Sequence, residues 1–103
     1  GGKTIFELYA EKDALSGTPV KVRGIVVKVN AGIMRKNWVH LRDGTGGMDS
    51  NDLTITTANL PKVGDTVIVE GDLHTDIDFG AGYAFSIIIE DGVITVKPDG
   101  IFQ

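Results

Sequence analysis

Apolar and polar residues alternate along most of this chain, the pattern that half-buried β-strands produce. The longest alternating stretch runs from Val20 to Asp43 and is interrupted at Gly24. The apolar positions before the glycine are Val20 and Val22, and those after it are Ile25, Val27 and Val29. A shift of one residue sends side chains to the opposite face of a sheet, so the pattern predicts a bulge at Gly24. We therefore expect a long first strand that bends and serves two parts of a curved sheet.

Five later segments are predicted to be strands. They are residues 38–42, 53–57, 66–73, 83–90 and 92–97. The expected inward positions are Val39, Leu41, Leu53, Ile55, Val67 and Val69, while Thr54 and Thr56 face outward. Tyr83, Phe85, Ile87 and Ile89 are expected on one face of the fifth strand. Loops are predicted at residues 30–37, 43–52, 58–65 and 74–82, and the Asp91-Gly92 pair is typical of a β-hairpin turn before the last strand.

One helix is predicted before the strands, over residues 4–15. Thr4 is expected to cap it, with Glu7 three residues later completing a capping box, and Ser16-Gly17 is expected to end it. An apolar stripe that includes Leu8 and Tyr9 should face the sheet. Phe6, Leu8 and Tyr9 are interpreted as a plug for one open end of a barrel rather than as a ligand site.

These elements predict an all-β fold: a five-stranded Greek-key barrel of the OB type, with an amino-terminal helix and an extra carboxy-terminal strand. The 103 residues make a single domain, residues 1–103, with the barrel over about 19–97. The common OB plan instead has its helix between strands three and four. The 14 glycines suit many tight turns. Because the chain contains no cysteine, disulfides, thiolate metal sites and a cysteine nucleophile are excluded.

Charge is distributed unevenly along the sequence. The net charge is −4, yet residues 21–42 carry +6 and residues 43–103 sum to −9. The candidate binding residues are an aromatic side chain with its neighbouring cations: Lys21, Arg23, Lys28, Arg35, Lys36, Trp38, His40 and Arg42. OB modules use such an outward face to stack bases and hold phosphates. Alternatively, Trp38 covers the barrel wall or packs under the helix, and His40 is a hydrogen-bonded surface histidine.

Other chemistry finds little support in the sequence. The glycine-rich pieces DGTGG and FGAGY lack the Gly-Lys-Ser/Thr ending of a phosphate loop. Asp76 and Asp78, with His74 nearby, suggest a hard cation, but no third and fourth ligands follow, so no metal is assigned. The serines and histidines lack the context of a nucleophile and its base. We expect a non-enzymatic protein with no catalytic residues and no cofactor.

The pieces VNAGIMRKNWVHLRDGTG, KVGDTVIVEG and DFGAGYAF resemble a group of small exported bacterial OB-fold proteins. Members of this group are labelled nucleic-acid-binding or nitrite-reductase-associated accessory lipoproteins. The opening two strands are also similar to OB domains of the anticodon-binding and nucleic-acid-binding type. The resemblance implies a periplasmic or exported location, with the export signal outside this sequence, and the Gly-Gly-Lys start is expected to be a trimmed end.

Two functions stay open at this point. One is a module that binds single-stranded nucleic acid or another anionic oligomer through the basic and aromatic face, weakly and in a salt-sensitive way. The other is a cell-envelope interaction or assembly module that meets an acidic protein surface. A second outward aromatic residue on the third strand would favour nucleic-acid binding, but the sequence has Thr54 and Thr56 at those positions. No apolar run approaches the roughly 20 residues that cross a bilayer, and the oligomeric state is not indicated.

Overall fold

The computed structural model describes residues 2–97 and shows a mostly β architecture, which confirms the all-β prediction. The elements are α1 (Ile5–Ala10), α2 (Lys12–Leu15), β1 (Pro19–Ile33), β2 (Lys36–Arg42), β3 (Leu53–Thr57), β4 (Thr66–Asp78), β5 (Ala84–Ile89) and β6 (Val93–Val96). No helix within this part of the chain has the length and apolar character needed to cross a membrane.

Five strands are linked by pairing in an order that starts and ends at β1: β1–β2, β2–β3, β3–β5, β5–β4 and β4–β1. β1 pairs with β4 through residues 19–25 and with β2 from Ile25 onward, as expected of a strand that serves two parts of a sheet. β2 pairs with β3 antiparallel, β3 with β5 in parallel, and β5 with β4 antiparallel. One apolar cluster fills the space between these strands, and α1 contributes Ile5 and Leu8 to it.

The helical region begins as predicted and is divided into two short helices. The Thr4 side chain accepts from the Glu7 amide at 3.1 Å, and the Glu7 carboxylate accepts from the Thr4 amide at 2.8 Å, which forms the capping box. The hydrogen bond from the Thr4 amide lowers the pKa of Glu7. Glu11 separates α1 from α2. Of the expected plug residues, Leu8 is buried, Tyr9 is half-buried and Phe6 is exposed.

The predicted change of face at Gly24 is wrong. Val22, Gly24 and Val26 all face the core, whereas Ile25 and Val27 are 50% and 39% exposed. The register of β1 against β2 shifts later, between Val26 and Lys28. A Cβ atom on Gly24 would lie 2.8 Å from the Leu41 Cγ atom. The glycine therefore allows β2 to approach closely, and the apolar residues that follow it lie on the outer face.

Two predicted loops are largely strand. β1 and β2 meet in a tight hairpin at Met34 and Arg35, whose φ angles are +53° and +66°. β4 continues to Asp78 and forms a second hairpin with β5. Both hairpins extend past the apolar core, where alternating burial no longer marks a strand.

The predicted hairpin at Asp91-Gly92 is also wrong, because β6 pairs with β4 and not with β5. Residues 67–70 of β4 face β6, and residues 73–78 face β5. Gly71 lies between the two parts, and a Cβ atom there would be 2.7 Å from the Ile89 Cγ2 atom. The turn at Gly92 therefore connects β5, which pairs with the second section of β4, to β6, which pairs with the first section.

Candidate functional site

Outward side chains of β1 and β2 form the floor of a pocket. Lys28 pairs across the strands with His40, and Asn30 pairs with Trp38. The β4–β5 hairpin lies over this floor and supplies a wall. We call this site the aromatic pocket; its volume is about 290 Å³, and its lining includes Lys28, Asn30, Trp38, His40, Tyr83 and Phe85.

Trp38 packs under the β4–β5 hairpin. Its ring centroid lies 5.8 Å from that of Phe79, 6.1 Å from that of Tyr83 and 6.0 Å from that of Phe85. Its indole N–H donates to the Ile33 carbonyl at 2.9 Å, and the residue is 6% exposed. The hypothesis that Trp38 lies exposed among the cations is therefore wrong, and the alternative of a packing role describes it better. Tyr83 and Phe85 offer more accessible ring surface.

His40 is held by an acidic partner beneath the pocket. Its Nδ1 atom lies 2.9 Å from an Asp52 carboxylate oxygen. Because a carboxylate only accepts, Nδ1 carries the hydrogen of this contact. The Asp52 carbonyl in turn accepts the Tyr9 hydroxyl at 2.6 Å. Burial raises the pKa of Tyr9, and the charge of Asp52 raises it further.

The structure gathers part of the predicted basic face and separates the rest. Lys28, Trp38 and His40 meet in the aromatic pocket. The other predicted cations are distributed along the ribbon, and three of them pair with acids from later in the chain: Lys21 with Glu70 at 3.6 Å, Lys36 with Asp91 at 3.1 Å and Arg42 with Asp52 at 3.7 Å. Arg23, Lys28 and Arg35 form no ion pair within residues 2–97.

Five residues of the pocket lining were not among the predicted site residues: Asn30, Ile33, Gly82, Tyr83 and Phe85. Asn30 was placed in a loop, and Tyr83 and Phe85 were placed in a strand without a binding role. The signal that would have found the aromatic pair is the FGAGY segment, in which glycines flanked by aromatics form the tip of a hairpin. A tip of this kind can lie across a neighbouring strand pair.

The suggested cation ligands of β4 do not converge. Asp76 pairs with Lys12 at 2.6 Å, Asp78 accepts from the Gly80 amide at 2.7 Å, and His74 lies 3.9 Å from Glu90. Within the part of the chain that the structure describes, no three His, Cys, Asp or Glu side chains are placed to hold a metal ion together.

The DGTG segment has a structural role at the start of α1. Asp43 accepts from the Ile5 amide at 2.8 Å and from the Thr45 hydroxyl at 2.6 Å, while Thr45 accepts from the Phe6 amide at 3.0 Å. Burial acts to raise the pKa of Asp43, but the hydrogen bonds from Thr45 and Ile5 outweigh it and the pKa is lowered. The segment therefore fixes the helix to the sheet.

The chain matches no family model and no curated protein. Among solved structures it is similar to a DUF3299 family protein from Pseudomonas aeruginosa PAO1, with 15% sequence identity and a TM-score of 0.59. The match covers 84% of this chain and 66% of that chain, so this chain spans less than two thirds of the length of its structural neighbour. At this identity the likeness shows a shared fold alone.

Proposed function

We propose that this protein is an OB-type barrel that binds single-stranded nucleic acid without catalysing a reaction. The pairing order supports the barrel, because β1 contacts β2 at one end and β4 at the other, and β3 pairs in parallel with β5. OB modules bind oligonucleotides on the outer face of their second and third strands, between the loops that precede β2 and β5. The aromatic pocket lies in this region.

The observation that carries the proposal is the position of Lys28 beside Tyr83 and Phe85 in one concave site. An aromatic ring offers a base its π-face, and a neighbouring ammonium group attracts the phosphate. Lys28 is exposed and makes no ion pair within residues 2–97. Its charge is therefore available to a ligand.

A titration of the intrinsic fluorescence of Trp38 tests this function, because its ring lines the pocket. We expect a saturable change with short single-stranded DNA or RNA at low salt. Tyr83→Ala should lower the affinity about tenfold, since stacking on one aromatic residue contributes about 1–3 kcal/mol. Lys28→Gln should weaken binding and reduce its salt dependence, whereas Lys62→Gln, an exposed lysine outside the pocket, is the matched control. Absence of saturable binding, confirmed by calorimetry, would overturn the proposal.

The alternative function, an envelope module that meets an acidic partner protein, is favoured by a second surface. Ile25 and Val27 line an open groove of about 780 Å³ together with Arg23 and Arg42. Exposed aliphatic residues beside cations suit a partner that presents both apolar and acidic side chains. The groove and the aromatic pocket have no lining residue in common. Arg23→Ala should therefore leave nucleic-acid binding unchanged, and loss of that binding would contradict the separation of the two surfaces.

A further inference from the structure

From the same geometry we infer that the aromatic pocket receives one nucleotide, a flat ring with a single phosphate, and that no binding track for a longer strand continues from it. This inference rests on the proposed function and narrows its ligand class. Three features of the surroundings carry it: the closed surface beside the pocket, the pairing of the neighbouring cations, and the polar groups inside it.

The surface beside the pocket is closed to further bases. Thr54 and Thr56 of β3 were expected to face outward, but they are buried, 4% and 1% exposed, beside His40 and Trp38 in the sheet. A ligand base stacked at Tyr83 or Phe85 therefore has no open neighbouring platform along β3. An adjoining cavity, which Trp38 also lines, has a volume of about 90 Å³ and includes both Lys36 and Glu90 in its lining. Its small size disfavours a second nucleotide.

Two cations next to the pocket on the same ribbon are paired with acids, whereas Arg23 and Arg35 form no ion pair within residues 2–97. Lys36 contacts Asp91 at 3.1 Å, and Arg42 lies 3.7 Å from Asp52. A strand that continued past the pocket in either direction would bring its phosphates close to these carboxylates. Since like charges repel most strongly at short distance, additional phosphates gain little attraction. Among the described residues that line the pocket, Lys28 is the one lysine or arginine, so its charge is the one that a ligand phosphate meets there.

The pocket also holds polar groups suited to the edge of one base. Asn30 lines the pocket, and its amide group offers both donors and an acceptor. His40, whose Nδ1 atom donates to the Asp52 carboxylate, also lines the pocket. These groups distinguish a nucleotide from a sugar phosphate or inorganic phosphate, because only the nucleotide supplies a base edge as well as a charge.

Calorimetric titrations with ligands of increasing length test the inference. The ligands are inorganic phosphate, ribose 5-phosphate, the four nucleoside 5′-monophosphates, and a dinucleotide, tetranucleotide and octanucleotide of the same base. We expect at least one monophosphate to bind. The association constant of an oligomer should exceed that of the monophosphate by no more than a factor equal to the number of nucleotides in the oligomer. A continuous stacking track would instead increase the affinity by roughly tenfold for each added base.

The outcomes separate the inference from the function it rests on. Octanucleotide binding without monophosphate binding, or a steep rise with length, overturns the single-nucleotide inference and leaves the nucleic-acid function in place. Failure of every nucleotide ligand overturns both. Asn30→Ala should lower the affinity for the monophosphate severalfold, while Asn51→Ala, a loop asparagine outside the pocket, should not. If the two variants bind the monophosphate with equal affinity, Asn30 does not contact the base. If ribose 5-phosphate binds the wild type more tightly than every monophosphate does, the pocket does not recognise a base.

Discussion

Val26 and Val27 are neighbours in β1 with opposite surroundings, since Val26 is 1% exposed and Val27 is 39% exposed. Threonine has nearly the shape of valine, so the same substitution at each position isolates the burial of a hydroxyl group. Val26→Thr should reduce the free energy of unfolding by about 1–3 kcal/mol, because the hydroxyl enters an apolar core. Val27→Thr should change it by less than about 0.5 kcal/mol. Urea unfolding measures both, and equal losses would contradict the face assignment.

Asp43 links the pH dependence of stability to the start of α1. Its pKa in the folded protein is lowered from its ordinary value of 3.8 by hydrogen bonds that outweigh its burial. The carboxylate therefore stabilises the fold above that value, and this contribution is lost as the pH falls through the lowered folded pKa. Asp43→Ala should cost about 1 kcal/mol at neutral pH, as loss of a helix cap does.

The measurement is urea unfolding of the wild type and Asp43→Ala over a series of pH values. The difference in unfolding free energy should be constant near neutrality and should shrink in acid. Asp49→Ala is the matched control, because Asp49 is exposed in the following loop. A difference between wild type and Asp43→Ala that grows in acid would contradict the sign of the pKa change.

At the scale of elements, the β1–β2 hairpin turns through two residues that rarely adopt its geometry. Met34 and Arg35 both have positive φ angles, as a type I′ turn requires, and such turns favour Asn-Gly. The double substitution Met34→Asn and Arg35→Gly should raise the free energy of unfolding by about 1–2 kcal/mol, because left-handed backbone brings a Cβ atom close to the following carbonyl oxygen, a cost that glycine lacks and asparagine tolerates. Thermal and urea unfolding would detect this. If the variant is less stable than the wild type, the hairpin does not contain a type I′ turn.

The junction of β4 with β5 and β6 requires a glycine at position 71. A methyl group there would approach the Ile89 Cγ2 atom at 2.7 Å and the Gly92 Cα atom at 3.3 Å. Gly71→Ala should therefore cost about 1–3 kcal/mol through overpacking. Gly47→Ala is the control, since nothing lies within 4 Å of its Cβ position. If both variants unfold at the same urea concentration, the close approach at Gly71 is not limiting.

Local sequence patterns predicted the positions of helices and strands better than they predicted which side chains are buried and which strands pair. The bounds of β3 and the capping box at Thr4 follow from short-range signals and are confirmed. The face of Ile25 and Val27 was misassigned because apolar residues normally point inward, and here two of them lie in an outer groove. The partner of β6 depends on Gly71, which precedes the first residue of β6 by 22 positions (93 − 71), so no local pattern identifies it.

At the scale of the whole molecule, the candidate site combines parts that the sequence keeps far apart. Lys28, Trp38 and His40 could be grouped from the sequence because they belong to one hairpin. The aromatic wall comes from a distant hairpin, and the acids that pair with three of the other cations come from the loop before β3, from β4 and from the turn after β5. A run of positive charge in a sequence therefore overstates the positive surface that remains after folding.

The salt dependence of nucleotide binding follows from this compensation. If Lys28 alone meets a phosphate, the logarithm of the association constant should fall with the logarithm of salt concentration with a slope of about −0.7. A ligand held by all six cations of residues 21–42 would give a slope of about −4. Lys28→Gln should bring the slope close to zero, and Lys62→Gln should leave it unchanged. A slope steeper than about −2 with an octanucleotide would show that several phosphates are neutralised. In that case the paired lysines and arginines exchange their acids for the ligand, and the binding surface extends along the ribbon.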